Sequence, residues 1–278
     1  MKKKITYGHL AGALLLLSLL SGFIVAYQYE AATPFVSSVA IEAILPFGSF
    51  FRSIHFWTSQ LFVITMVFHV IDLRHKVVDG VAPRRLKFHW TIVAFAVPIG
   101  IYALFSGYVL RYDATGQAAG AIAEHLFLRI PFFGDTIDKM LMNISGDGLN
   151  RLYAVHIFAG FVCWLLCTWY HLKRVRITLA AFGLVLILSV VFCSMIRAPI
   201  DSPAFNAHLI RGPWFFLGIQ ELLRYFDPLV AGVLFPAVPL LILFLLPWVR
   251  NSMSLYTLIL MWTFAYSGVT LMSLLRNG

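Results

Sequence analysis

The sequence predicts an all-α integral membrane protein with seven transmembrane helices, the first four forming a bundle and the last three following it. Three observations carry this reading. Of 278 residues, 60% are hydrophobic and only 12% are charged, with a mean hydropathy of +0.86, which is too apolar for a soluble domain. Seven apolar stretches are each long enough to cross a bilayer. Four histidines lie inside those stretches as two long-spaced pairs, His55 with His69 and His156 with His171.

The expected spans run over about 7–27, 52–73, 88–110, 150–172, 177–197, 228–249 and 253–275. Pro98 and Pro236 fall inside spans, where neighbouring helices re-satisfy the freed backbone groups. The chain divides into a four-helix bundle over 1–176 and a three-helix region over 177–278, with no internal repeat and no low-complexity linker.

Orientation follows from the basic residues. With Lys2, Lys3 and Lys4 in the cytoplasm, the loops after the second and fourth spans are cytoplasmic as well. They carry Arg74, Lys76, Arg84, Arg85 and Lys87, then Lys173, Arg174 and Arg176. The long connections 111–149 and 198–227 lie on the opposite side. Part of the net charge of +9 is therefore positive-inside bias, and nucleic acid is not an expected partner. The lysine triplet before an apolar run has the look of a secretion signal. Gly8 and Gly22 argue for a working helix instead, because they repeat the fourteen-residue interval of His55 and His69.

The histidine spacing gives the chain a chemistry. Ionisable groups inside a span are costly and have a functional or paired reason to be there. At about 1.5 Å per residue, fourteen and fifteen residues place the partners roughly 21–22 Å apart along a helix. At about 100° per residue the turn between them is about −40° for the first pair and about +60° for the second. Two facing helices would then offer two stacked bis-histidine sites, suited to two b-type haems. The competing reading is a haem-free transporter or proton relay that uses the imidazoles as polar groups. Glycines at positions 8 and 22 let a ring approach the first helix at both levels. His9, His75, His89, His125 and His208 stand singly near boundaries, as interfacial histidines do. Cys163, Cys167 and Cys193 lie in apolar helices, and no Cys-x-x-Cys-His is present, which excludes c-type haem attachment by that motif.

These residues resemble cytochrome b of the cytochrome bc complexes, in a fused seven-helix form similar to the photosynthetic cytochrome b plus subunit IV. Gly8-x13-Gly22 looks like the first-helix glycine pair, and Arg52-Ser-Ile-His55 with His69 looks like the second-helix signature. Ser106-Gly-Tyr-Val-Leu110 is similar to the end of the third helix. Ile130-Pro-Phe-Phe-Gly134, Asp135-Thr-Ile and Leu149-Asn-Arg-Leu-Tyr-Ala-Val-His156 resemble the surface helices leading into the fourth. Gly212-Pro-Trp-Phe-Phe-Leu217 falls where the family has Pro-Glu-Trp-Tyr.

The resemblance implies a quinol/quinone oxidoreductase subunit that carries electrons across a bacterial inner (cytoplasmic) membrane between the quinone pool and a partner. It implies His55 and His156 as ligands of the outer haem iron, and His69 with His171 as ligands of the cytoplasmic-side one. Arg52 and Arg151 match arginines beside haem propionates, and Gly8, Gly22 and Gly107 match glycines against the haems. Trp214, Glu221 and Tyr108 are the expected quinone-site residues. Implied partners are a c-type or multihaem cytochrome, an iron–sulfur subunit, membrane lipid, and a second copy in a homodimer.

The departures matter too. Pro213 replaces the motif glutamate that accepts a quinol proton, and Asp201, Glu221 and His208 are the nearby groups able to substitute. Without that glutamate, a non-bifurcating conduit to a multihaem or iron–sulfur subunit stands beside the quinol–cytochrome c type. Val93 replaces an earlier third-helix glycine, and Asp72 takes the place of an arginine after His69. Lys173, Arg174, Arg176, Asp72 and His75 are candidates for a second quinone site at the cytoplasmic surface.

Overall fold

The structure is a computed structural model that describes residues 5–77, 82–144, 148–173, 177–202, 210–250 and 252–277. Lys2, Lys3, Lys4, Arg174, Arg176 and His208, all named above, lie outside the described residues. The described residues form thirteen α-helices, with short 3-10 and π turns and loops between them and no strand.

Helix α1 (Tyr7–Gln28) starts at a capping box. The Thr6 side chain accepts from the His9 N–H, and the His9 ring accepts from the Thr6 N–H, so this single histidine serves as a cap. After the short α2 (Pro34–Ala43), α3 (Gly48–Leu73) carries His55 and His69. Helices α4 (Arg84–Ala94) and α5 (Ala96–Arg111) make one apolar run, Arg84–Arg111. Its break at Phe95 has a cause in Pro98, which has no N–H to give the Ala94 carbonyl and whose ring crowds it.

Helices α6 (Ala114–Leu128) and α7 (Gly134–Leu141) lie beyond α5, the first capped by the Asp113 side chain accepting from the Gly116 N–H. Helix α8 (Gly148–Ile157), a π turn at Phe158–Cys163 and α9 (Trp164–Leu172) form the next span. Helix α10 (Leu179–Met195) follows. A 3-10 turn at Trp214–Phe216 leads into α11 (Leu217–Leu222), a π turn at Val230–Leu234 into α12 (Phe235–Leu245), and α13 (Ser252–Asn277) closes the described chain.

Five helical runs are long and apolar enough to cross a membrane: Tyr7–Gln28, Gly48–Lys76, Arg84–Arg111, Gly148–Leu172 and Ser254–Arg276. Leu179–Met195 and Val230–Leu245 are apolar but shorter. The second and third runs start four residues before the expected 52 and 88. Around Arg84 the extension is carried by long basic side chains that lie along aromatic faces, Arg84 over Phe88 and Lys87 over Trp248.

Helices α1 and α3 pack along most of their lengths. Small residues on the buried side of α1, among them Gly8, Ala11, Ser18 and Ser21, let the two backbones approach. The core between them contains Leu14, Leu17, Ile54, Phe62, Met66 and Trp164, and Val185 and Cys193 of α10 belong to the same cluster.

The π turn corrects the helical arithmetic. A π turn absorbs about one extra residue, or about 100°. The six residues Phe158–Cys163 lie between His156 and His171. The fifteen-residue interval then behaves as fourteen, and its angle falls from about +60° to about −40°, the value for His55 and His69.

Candidate functional site

The histidines of α3 meet those of α8 and α9 at two levels. The ring centres of His55 and His156 are 6.4 Å apart with planes at 81°. Those of His69 and His171 are 5.7 Å apart at 57°. A transition metal held by a nitrogen on each side at ~2.0–2.1 Å, with ~1.1 Å from each nitrogen to its ring centre, sets the centres about 6.3 Å apart. The outer pair has that spacing, and the inner pair is shorter by about half an ångström.

Hydrogen bonding defines which nitrogens are available. His55 Nδ1 lies 2.9 Å from the Ser18 carbonyl. A carbonyl only accepts, so Nδ1 carries the proton and Nε2 keeps its lone pair. His156 Nδ1 lies 2.9 Å from Ser106 Oγ, whose own proton goes to the Tyr102 carbonyl at 2.8 Å. The same tautomer follows. At the inner level, both ring nitrogens of His69 are buried without a hydrogen-bond partner among the described residues. A buried polar atom left unmet calls for an explanation, and a metal ion held at this level would account for one of the two nitrogens.

The glycines serve the imidazoles directly. A Cβ on Gly8 would stand 2.8 Å from His69 Cε1, one on Gly22 2.8 Å from His55 Cε1, and one on Gly107 3.3 Å from His156 Cε1. Sequence reasoning placed these glycines against a porphyrin. Their close approach is to the ligand-type rings themselves.

A cleft of about 220 Å³ opens at the outer level, lined by Gly22, His55, Gly107, His156, Arg52 and Arg111 among others. Arg52 is buried, pairs with Glu42 at 2.6 Å, and donates to the carbonyls of Ala198 and Pro199 at 2.5 and 3.2 Å. Arg151 is not among the lining residues; it is exposed and donates to the Lys139 carbonyl. Arg111, one residue beyond the third-helix match, went unnoticed as a site residue. It is 8% exposed, pairs with Asp113 at 2.7 Å, and its Nε is buried without a partner among the described residues. The readable signal was a cation at the end of an apolar run, followed two residues later by an aspartate.

A second cleft, of about 450 Å³, adjoins the first. Phe56, Gln60, Tyr108 and Arg111 line both. Trp57, Asp201, Arg211, Pro213 and Trp214 complete the second. The Trp214 indole N–H donates to Gln60 Oε1 at 2.8 Å, which fixes the aromatic turn against α3. Tyr108 and Trp214 are thus brought together, as sequence reasoning grouped them. Glu221 lines neither cleft. Only 1% exposed, it meets Arg276 at 2.8 Å, Tyr225 at 3.2 Å and Arg224 at 3.4 Å. On the inner side, the His89 ring centre lies 6.1 Å from that of His171.

The fold defines the class: an all-helical protein with apolar helices long enough to cross a membrane. The chain belongs to the cytochrome b family, for the family profile described as Cytochrome b/b6/petB matches residues 1–179. Cytochrome b6 of Heliomicrobium gestii is 25% identical over 144 residues, covering 50% of this chain and 66% of that protein. The chain thus spans just under two thirds of that relative. Cytochrome b of Rickettsia typhi is 25% identical over 293 residues, covering 89% of this chain and 71% of the relative. In fold the chain is similar to a solved chain of a hyperthermophilic respiratory Complex III. The TM-score is 0.69 at 19% identity, over 98% of this chain and 85% of that one.

Proposed function

We propose that this chain is the di-haem cytochrome b subunit of a membrane quinol/quinone oxidoreductase, passing electrons across the bilayer between the quinone pool and a redox partner. The observation that carries the reading is the pair of imidazole couples at two levels, with ring centres 6.4 and 5.7 Å apart. His55 and His156 hold the outer haem, and His69 and His171 the cytoplasmic-side haem. A haem held by two imidazoles would supply one-electron transfer.

The chain's own residues do the rest. Ser18 and Ser106 fix the imidazole tautomers. Gly8, Gly22 and Gly107 leave the rings room to stand upright. Arg52 and Arg111 place permanent positive charge at the outer cleft, and Arg151 contributes at the surface. Trp214 and Tyr108 wall the outer quinone site. All seven apolar runs cross the membrane, with the N-terminus cytoplasmic, and residues 1–176 form the haem bundle to which 177–278 add the quinone pockets. Partners are a c-type or multihaem cytochrome, an iron–sulfur subunit, or both, in a larger assembly built on a homodimer. Pro213 at the position of the motif acid favours a second reading, a conduit without bifurcation.

A haem assay with a reduced-minus-oxidised spectrum tests the proposal. Two b-type haems per chain are expected. Replacing His55 or His156 by Ala removes one, and replacing His69 or His171 removes the other. A colourless preparation would leave the haem-free transporter as the better account.

A further inference from the structure

Resting on the reading of the second cleft as a hydroquinone site, the geometry points to Asp201 as the base that takes the hydroquinone proton there, with Arg111 and Trp57 as the donors that meet the substrate oxygens. A hydroquinone hydroxyl cannot give up its electrons to one-electron acceptors and keep its proton, so the site needs a base within hydrogen-bond reach. Asp201 is the carboxylate among the described residues lining this cleft. Its side chain is 46% exposed, which leaves it a route to water.

The surrounding groups contact the Asp201 carboxylate without occupying it fully. The Thr115 hydroxyl donates to Asp201 Oδ2 at 2.5 Å. Arg111 stands 3.6 Å away because its closer partner is Asp113, at 2.7 Å. Asp113 is fully buried and already accepts from the N–H groups of Gly116 and Asp201 at 2.9 Å each. It anchors the arginine and is closed to substrate. Arg211 and Tyr108 complete the titratable groups around this end of the cleft.

Two further observations point to a ligand. Arg111 Nε and Trp57 Nε1 are both buried donors without a partner among the described residues, and both residues line this cleft. An unmet buried donor is costly, and a quinone carbonyl or hydroquinone oxygen is an acceptor of the right kind. Glu221, another acid near the motif, lies outside the cleft in its own ion pairs.

The step balances. The two O–H bonds of the hydroquinone break in turn, and each proton forms an O–H bond on the Asp201 carboxylate, the first passing on to water before the second is taken. The two electrons leave one at a time to the one-electron acceptors of the assembly. Asp201 then returns its proton to water at the outer surface.

The test is stopped-flow reduction of the haems in the full, haem-loaded chain by 2,3-dimethyl-1,4-naphthohydroquinone and by decylubiquinol. Asp201→Asn lowers the rate about a hundredfold with an unchanged haem spectrum, and Asp201→Glu restores most of it. A wild-type rate in Asp201→Asn, or a comparable loss in Glu221→Gln instead, overturns the assignment while leaving the cleft a quinol site. No haem reduction by either hydroquinone in the wild type overturns the quinol reading and the assignment with it.

Discussion

At the scale of single residues, the histidine sites rest on contacts too close to admit a methyl group. Gly22 lies mid-helix, where alanine would ordinarily stabilise by up to about 1 kcal/mol. Here the added carbon would stand 2.8 Å from His55 Cε1 and 2.9 Å from its Nδ1. The imidazole would have to leave the Ser18 carbonyl, and with it the tautomer that frees Nε2. Gly22→Ala is therefore expected to lower outer-haem content by more than half while the helix itself is strengthened. Gly8→Ala does the same to the inner haem through His69. Separate b-band intensities in a redox titration check both, and full occupancy in both variants would reject the role given to these glycines. The sequence showed the interval of these glycines, because a periodicity survives in one dimension. It did not show that they touch imidazoles. Nor did it show that Glu221 is committed to Arg276, a partner fifty-five positions away and brought near only by the packing of α11 against α13.

At the scale of the helix, the π turn at Phe158–Cys163 decides whether two histidine intervals of different length present the same geometry. The extra residue rotates His171 away from His156 by about 100° in a regular helix, and the wider turn absorbs it. Deleting one residue within 158–163 is thus expected to regularise the helix and keep both haems, with only small shifts in their spectra. Inserting one residue between His55 and His69, where α3 has no such turn, should lose one haem. Haem content per chain measures both, and loss of a haem on deletion would show that the turn does something other than restore register. Seven apolar runs were legible because span length and composition are properties of the chain itself. A π turn was not, since it forms under the demand of partners on other helices. The early starts of α3 and α4 went unread for a similar reason: the basic side chains that carry the Arg84 extension are tolerated only because aromatic faces stand beside them.

At the scale of the whole molecule, the two halves share a core that a boundary at residue 176 divides. Val185 and Cys193 of α10 pack with Leu14, Ile54 and Met66. The Trp90 indole reaches the Leu243 carbonyl at 3.0 Å, and buried Arg52 leans on the carbonyls of Ala198 and Pro199. All four imidazoles nevertheless belong to the first half, whereas Asp201, Arg211 and Trp214 of the second cleft belong to the other. Expressed alone, residues 1–176 should therefore bind haem at both levels and lose hydroquinone-driven reduction, because half of the cleft wall is missing. The outer haem should be the weaker of the two. Removing the 198–199 carbonyls strips Arg52 of two acceptors, and unmet N–H groups on a buried guanidinium are costly. Detergent titration followed by the two b-band intensities would display that order. A fragment that keeps rapid reduction by hydroquinone would place the substrate site wholly within the first half, and the second cleft would need another use.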